Sequence, residues 1–573
     1  MKAKLAAGVA DAKASAKMTD RLTIALAQMN QRMGDLAANA AAMLAMRDKA
    51  AGADLLLCPE LQLIGYPPED LVLKPALVRA AAEEAARLVA ATATPGPAML
   101  IGTVVELDGK LYNAMLLADG GREAARALKH ELPNYGTFDE KRVFAHGPLP
   151  EPVEFRGVKL GIPICEDIWQ DTVCDHLAAQ GAELLLVPNG SPYELNKDPL
   201  RQALVRSRVA ATGLALAYLN RVGGQDELAF DGSSFIMQPG EGGEVELCTQ
   251  LPDWDEALEM TEWVLTPAGW RCTTCRTHEL DCYPEDVYRA MIVALRDYVD
   301  CNGFPGVLLG LSGGIDSALS AAVAVDALGA DRVHCVMLPS KYTSPESLAD
   351  AAECARLLGC RHDVISIEPG VDALERMLAP AFTGDEPGLA EENIQSRLRM
   401  VTLMALSNRF GDMLLTTGNK SEMSVGYATL YGDMAGGYSV LKDAYKTTCF
   451  ELSRWRNSHR PDGGLGPAGP VMPERVIDKP PSAELRPNQK DEDSLPPYEL
   501  LDRILVGLVD DDQSVAEVVT ATGAERALVA DIERKLLRAE YKRRQAPPGV
   551  KLTSRNFGRD RRYPISNAFR TAK

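Results

Sequence analysis

A short apolar run, Gly306-Val-Leu-Leu-Gly310, passes directly into Leu311-Ser-Gly-Gly-Ile-Asp-Ser317 and then into the helical pattern of Ala318 to Leu328. A strand that opens onto paired glycines and then a helix leaves little choice of architecture. It belongs in a parallel, doubly wound sheet whose ligands sit at the carboxyl ends of the strands. Val333-His-Cys-Val-Met-Leu338 and Asp412-Met-Leu-Leu-Thr416 continue that pattern, and Glu285 to Tyr298 has helical spacing ahead of it. The loop is not a Walker A loop, because it lacks the Gly-Lys-Ser/Thr ending. Two glycines after a strand let backbone N–H groups and the hydroxyls of Ser312 and Ser317 close around a pyrophosphate, with the helix N-terminus adding its positive end. Asp316 is then placed to hold Mg²⁺. The bland alternative is a Gly-rich strand-to-helix turn with no ligand.

The first half of the chain has its own series of apolar runs: Leu22 to Ala27, Asp54 to Cys58, Ala98 to Gly102, Val158 to Pro163 and Ala182 to Val187. Runs of this length, alternating with helical patterns, are expected as buried strands of an α/β domain. Two of them, and one further apolar stretch, lead to reactive side chains. Glu60 closes Cys58-Pro59-Glu60, Lys129 follows an apolar stretch, and Cys165 opens Cys165-Glu-Asp-Ile-Trp169. A thiol at a strand end attacks an amide only with a base and an oxyanion partner; a carboxylate and an ammonium supply both. Taken singly, each residue has a bland reading, and a lone cysteine there is usually a packing thiol. A Cys-His-Glu alternative would draw on one of only seven histidines, and His176, on an apparent helix after Cys165, reads as a surface residue.

A length of 573 residues calls for two or three cores, since single cores stop growing near about 250–300 residues. The expected division is an extension over 1–20, a first domain over 21–250, a connector over 251–284 and a second domain over 285–573. The connector carries Trp254, Trp263 and Trp270 with weak periodicity. Its Cys272-Thr-Thr-Cys275, with Cys282 nearby, falls short of the paired knuckles of a structural zinc site and reads as thiols in a linking segment. Between Arg460 and Pro497 a stretch rich in Pro, Gly and charge is expected to be a mobile loop over a site. A net charge of −19 argues against a nonspecific nucleic-acid surface. No apolar run approaches the roughly 20 residues of a membrane span. Twelve cysteines without disulfide-like spacing fit a reducing cytoplasm.

Glu60, Lys129 and Cys165, with Glu140 in Phe138-Asp-Glu-Lys-Arg142 and with Asn189-Gly-Ser191-Pro-Tyr193, resemble the nitrilase superfamily, whose Glu-Lys-Cys triad lies in that order. The resemblance implies an α-β-β-α sandwich, Cys165 as nucleophile, Glu60 as general base, Lys129 as oxyanion stabiliser and Glu140 as a supporting carboxylate. The octapeptide Gly310 to Ser317 resembles the PP-loop of the ATP pyrophosphatases, which adenylate a carboxylate or carbonyl and release pyrophosphate. A nitrilase-type domain ahead of a PP-loop domain is similar to the glutamine-dependent NAD synthetases. Further matches lie at Glu391-Glu-Asn393-Ile-Gln-Ser-Arg397, Thr417-Gly-Asn-Lys-Ser-Glu422, Tyr431-Gly-Asp433, and Lys551 before Ser554-Arg-Asn-Phe557.

That resemblance covers nearly everything after residue 21. By it, Gly310, Leu311, Ser312, Gly313, Gly314, Ile315, Asp316, Ser317, Thr417 and Lys446 are expected at ATP, and Asp316 and Glu422 at magnesium. Asn393, Glu422 and Lys551 are expected at deamido-NAD, and Tyr135, Ser191 and Lys197 at glutamine. It implies ATP as co-substrate with Mg²⁺, no tightly bound organic cofactor, a homo-oligomer in which synthetase domains pair, and a guarded route for ammonia. The rival amidotransferase reading keeps both sites and changes the acceptor carboxylate. A degenerate, noncatalytic nucleotide sensor is the rival of a different class.

Overall fold

The computed structural model describes residues 19–382, 388–487, 489 and 491–571, so the expected N-terminal extension lies outside them apart from its last two residues. The chain forms two compact units. One holds the residues up to Pro192 with Asn196–Gly223 and Phe230–Leu280, and the other holds Tyr193–Leu195, Gly224–Ala229 and the chain from Asp281 onward.

The first unit is built on two sheets. The seven-stranded sheet runs in the order Gly269–Cys272, Ala257–Thr266, Arg21–Gln28, Leu55–Leu57, Ala98–Leu107, Lys110–Asp119, Arg122–Leu128. The six-stranded sheet runs Val245–Gln250, Phe235–Pro239, Leu216–Asn220, Leu184–Asn189, Val158–Gly161, Val153–Phe155. Alternation along each strand explains why the apolar runs are unbroken. Leu22, Ile24, Leu26, Leu55, Leu57, Leu184 and Leu186 fill one core between the sheets. The intervening Ala25, Ala27 and Leu56 pack with Met43, Met46 and Leu88 of the helices Leu36–Lys49 and Pro75–Ala91. Leu185 and Val187 pack with Val173, Leu177, Val205 and Val209 of Asp171–Ala179 and Lys197–Thr212. Both faces of both sheets are covered, which is the α-β-β-α sandwich.

The expected connector over 251–284 is corrected by this sheet. Ala257–Thr266 pairs antiparallel with Arg21–Gln28 along its whole length, and Gly269–Cys272 adds an edge strand. Trp263 and Trp270 are buried in the core between the sheets, as is Cys272. The pattern is faint because Glu259 and Glu262 fall on opposite faces of Ala257–Thr266 and because Leu258 and Met260 are only partly buried.

The second unit carries a five-stranded, all-parallel sheet in the order Arg361–Val364, Val333–Met337, Val307–Gly310, Met413–Thr416, Tyr438–Ser439. In chain order that is 3-2-1-4-5, so the winding reverses between Val307–Gly310 and Met413–Thr416. The crevice outside the carboxyl ends of those two strands is the topological switch point, where doubly wound sheets bind ligands. Ile315–Leu328, almost wholly buried, follows the first of them. A further cluster gathers Leu501, Ile504, Val515, Val518, Val529, Ile532 and Leu536 from C-terminal helices around Met423 and Tyr445.

The Arg460 to Pro497 stretch is more anchored than its composition suggests. Val471, Met472, Val476 and Ile477 are buried, and Glu474–Asp478 is a short helix. Leu495 is buried as well, and Leu465 N donates to Asp326 O at 2.8 Å, so apolar burial and hydrogen bonds together hold it.

Candidate active sites

In the first unit, Glu60 lies in the turn after Leu55–Leu57, Lys129 directly follows Arg122–Leu128, and Cys165 begins a short 3-10 turn, Cys165–Ile168, beyond Val158–Gly161. Leu55–Leu57 and Arg122–Leu128 are separated by two strands of the seven-stranded sheet and Val158–Gly161 lies in the six-stranded one, so packing between the sheets brings the three residues together. A Cβ on Gly102 would meet Pro59 O at 2.3 Å and Leu61 N at 2.6 Å, so only glycine lets that strand run against the Glu60 turn. Cys165 is held at φ +47°, a conformation that L side chains rarely adopt and that clusters at functional sites.

Glu60, Lys129 and Glu140 form one buried array. Lys129 Nζ donates to Glu60 Oε1 at 2.7 Å and to both oxygens of Glu140 at 2.9 Å. Asn113 Nδ2 donates to Glu60 Oε1 at 2.7 Å, Gly190 N to Glu60 Oε2 at 2.8 Å, and Tyr66 Oη to Glu140 Oε1 at 2.8 Å. Burial opposes the Lys129 charge, but Glu140 and then Glu60 outweigh it and hold the ammonium well above the usual lysine range. Burial pushes Glu140 up to about 7, with Lys129 opposing and Glu60 reinforcing the rise. Burial, aided by the Glu60 charge, raises the Cys165 thiol well above the ordinary cysteine range, against the pull of Lys129. A thiol raised in this way favours its protonated form and calls for a base, and the Glu60 charge acts on the sulfur.

Around this array stand the residues expected at glutamine. Ser191 N donates to Asn220 Oδ1 at 2.9 Å, and Arg201 Nε donates to Ser191 Oγ at 3.2 Å. Lys197 Nζ lies 5.2 Å from the Trp169 ring centre, and Tyr135, half-exposed, donates to Glu166 at 2.9 Å. His176 stands apart from the array, 3.5 Å from Glu151. Sequence reasoning overlooked Tyr66, Asn113 and Arg201. Of these only Asn113 carried a signal, as an amide inside the otherwise apolar strand Lys110–Asp119.

In the second unit a cavity of about 300 Å³ opens at the switch point, lined by Gly310, Leu311, Ser312, Gly314, Ile315, Asp316, Ser317, Thr417, Glu422 and Lys446. Gly313 is absent from the lining for a reason: at φ +78° it turns the loop where a Cβ would meet Ser347 O at 2.3 Å. Ser312 Oγ and Ser317 Oγ are 3.0 Å apart, and Gly314 N donates to Ser312 Oγ at 3.3 Å. Lys479 to Leu485 also lines the cavity, so the anchored stretch does border a site.

Lys446 is buried with Asp316 as a hydrogen-bonded partner and Glu422 at 3.4 Å. Asn419 caps the turn bearing Glu422 and also donates to Asp316 at 3.1 Å. Burial pushes Glu422 up to about 8, opposed by Lys446 and reinforced by Asp316. Two converging carboxylates beside a phosphate-sized cavity suit a hard cation, which commonly takes one or two carboxylates and completes its shell with water and phosphate oxygens. Among the described residues no group of three or more His, Cys, Asp or Glu side chains forms a metal cluster.

Two expected dinucleotide contacts lie away from that lining. Asn393 Oδ1 accepts from Thr429 Oγ1 at 2.9 Å, on a helix whose Ser396, Arg399 and Leu403 do line the cavity. Lys551 is buried, donating to Thr553 O at 2.6 Å and paired with Asp560 at 2.9 Å and Glu194 at 3.3 Å.

Comparison with known proteins gives a consistent result for both halves. The NAD synthase family model matches residues 287–546, and the carbon-nitrogen hydrolase model matches residues 23–258. The chain is 53% identical over 559 residues to the glutamine-dependent NAD(+) synthetase of Rhodobacter capsulatus, covering 96% of this chain and 100% of that one. It is 44% identical over 550 residues to the enzyme of that name from Acinetobacter baylyi, with 96% and 98% covered. A solved structure of glutamine-dependent NAD+ synthetase from Acinetobacter baumannii in complex with adenosine diphosphate has a TM-score of 0.74 at 40% identity, covering 95% of this chain and 98% of that one.

Proposed function

The chain belongs to the glutamine-dependent NAD(+) synthetase family, and from that premise we infer how its own residues divide the work. The reaction is the ATP-dependent amidation of deamido-NAD to NAD with nitrogen from glutamine. We propose that Glu60 takes the Cys165 proton as the sulfur attacks the side-chain amide carbon of glutamine. Lys129 then faces the developing oxyanion. Its contact with Glu140, spread over two oxygens, needs only one N–H, which frees another to turn toward that oxygen. Collapse expels ammonia with the proton held by Glu60, and a water deprotonated by Glu60 resolves the thioester to glutamate.

In the second unit the nicotinate carboxylate attacks the α-phosphorus of ATP, and pyrophosphate leaves into the Ser312 to Ser317 cradle. Ammonia adds to the acyl adenylate and AMP departs. Asp316 and Glu422 would hold Mg²⁺, which neutralises phosphate charge when bound. Lys446 turns from those carboxylates to the phosphates, and Asn393, Glu422 and Lys551 serve deamido-NAD. Thr417, at the end of Met413–Thr416, serves ATP.

We further propose that synthetase units pair through the helix Leu389–Phe410. It buries only Gln395, Ser396 and Leu403 and leaves Leu389 73% and Val401 64% exposed. Light scattering of the purified chain tests this. Among the described residues no helix is long and apolar enough to cross a membrane. All twelve cysteines are free thiols, which supports a cytoplasmic setting.

One observation carries the reading: a single chain holds a buried Glu60–Lys129–Glu140 array beside Cys165 and a phosphate cradle at a switch point. The test is NAD formation from deamido-NAD and Mg-ATP, supplied in parallel with glutamine or ammonium while AMP is followed. NAD and AMP rising together with either nitrogen source supports it. Folded protein that makes no NAD from either overturns it.

A further inference from the structure

Two of the free thiols face each other in the second unit and have no task in the reaction as written. Cys335, in the strand Val333–Met337, is fully buried. Cys360 is half-buried in the turn between the helix Pro345–Leu358 and the strand Arg361–Val364. Their sulfurs are 3.6 Å apart, in contact, and closing to the about 2 Å of a disulfide takes only a small shift of that turn. The hydrogen bond with Cys335 holds the Cys360 thiol below the ordinary cysteine range, and the same bond, with burial, holds the Cys335 thiol well above it. The thiol that solvent reaches is therefore the more readily ionised one, and the sheltered thiol stands behind it. Other thiols lack this arrangement. Burial pushes Cys354, on the same helix, up to about 12. Cys248 and Cys272 also hydrogen-bond each other, but both are buried between the sheets of the first unit.

Both elements that such a bond joins brace the phosphate cradle. Val336, Met337 and Leu338 line the cavity, and Val336 O accepts Leu311 N at 2.9 Å. At the far end of the helix Ser347 lines the cavity too, and its carbonyl leaves no room for a Cβ on Gly313. We propose that Cys335 and Cys360 are a redox-sensitive pair that a hydroperoxide closes to a disulfide, and that this bond weakens ATP binding by shifting the strand or the helix end behind the cradle. The Cys360 thiolate, its proton released to water, attacks one oxygen of hydrogen peroxide. The O–O bond breaks, Cys360 becomes a sulfenic acid, and the departing hydroxide takes up a proton to become water. The Cys335 sulfur then attacks the Cys360 sulfur. The S–O bond breaks, and hydroxide leaves with the Cys335 proton as a second water. Two thiols lose two electrons and one peroxide gains them. Thiol–disulfide exchange in a reducing compartment restores the pair, so the bond is transient there.

Trypsin puts the three neighbouring thiols Cys335, Cys354 and Cys360 on separate peptides, 333–341, 342–356 and 357–361. The full-length wild type, C335A and C360S are treated with hydrogen peroxide, the remaining thiols are blocked, and the peptides are weighed. In the wild type 333–341 and 357–361 are expected joined, two hydrogens lighter than their sum, and dithiothreitol should part them. C360S should give no such product, and C335A should stop at a Cys360 sulfenic acid that dimedone traps. Ammonium-supported NAD formation, which bypasses Cys165, is followed in the same samples. Its ATP KM is expected to rise about 5-fold or more in the oxidised wild type and to stay level in oxidised C360S. No joined peptide in the wild type, or a link to Cys354 instead, overturns the pair. A link that leaves the ATP KM unchanged overturns its hold on the cradle. The peptide result does not depend on what the cradle binds, whereas untreated enzyme that makes no NAD overturns the ATP-site reading itself, so the failures are distinct.

Discussion

Each candidate site holds a buried lysine between two carboxylates, Lys129 in the first and Lys446 in the second, yet the two arrangements are built differently. Lys129 is fully enclosed with Glu60 and Glu140, at 2.7 and 2.9 Å, and neighbouring amide and phenol donors fill the remaining lone pairs. Lys446, with Asp316 and Glu422, borders an open cavity, and its contact with Glu422 is a loose 3.4 Å. The first is an assembled array whose ion pairs stay in place while, on the proposed reading, Glu60 takes and returns a proton. The second is a looser pairing, in which, on the proposed reading, the carboxylates would hold a metal and the lysine would turn to the phosphates. The lesson is that ion pairing and burial alone do not distinguish catalytic scaffolding from a ligand site. The openness of the surroundings does.

The largest expected effect that could break this comparison comes from Cys165→Ala. It is expected to reduce glutamine-supported NAD formation by about 1,000-fold or more while ammonium still supports it, assayed side by side. Loss of both activities in folded protein would mean that the two arrays are not separate sites. Next, Lys129→Met strands two buried carboxylates and is expected to lower stability by about 3–5 kcal/mol, read by thermal unfolding. Lys446→Met is expected to lose far less, because water reaches its partners, and to show a larger Mg²⁺-induced rise in Tm than the wild type. Equal losses from the two lysine substitutions would erase the distinction.

A pH experiment sharpens the first array. Glu140 is raised from the ordinary carboxylate range to about 7, so the native state holds its proton where the unfolded chain has released it. Stability therefore falls as pH rises through that window. Glu140→Gln, a mimic of the protonated form, should gain in Tm relative to the wild type between pH 5 and pH 8, and a flat difference would remove Glu140 as the titrating group. The smallest effect is expected from Tyr66→Phe, which removes one buried hydrogen bond and about 1 kcal/mol of stability. Glutamine turnover should fall only a few-fold.

Much of both folds was legible because strands buried on both faces leave continuous apolar runs. The five runs proposed for the first half all fall on strands, as does Gly306 to Gly310. The reactive residues were legible because each interrupts or ends such a run. The strand Ala257–Thr266 was hidden because its partner, Arg21–Gln28, lies at the other end of that unit's chain and because a charged residue interrupts each of its faces. The anchoring of the Arg460 to Pro497 stretch was hidden because composition averages over the few buried apolar side chains in it.

The sequence by itself determined the two chemistries. Local rules suffice for a strand that meets a glycine pair and then a helix, and for a cysteine placed at a strand end. Only the tertiary structure decided that Glu60, Lys129 and Glu140 share one dry pocket, that Lys446 borders a cavity, and that Lys551 is internally paired. Those outcomes depend on which side chains approach within hydrogen-bond distance and how much water is excluded around them, and both are set by packing between residues far apart in the chain.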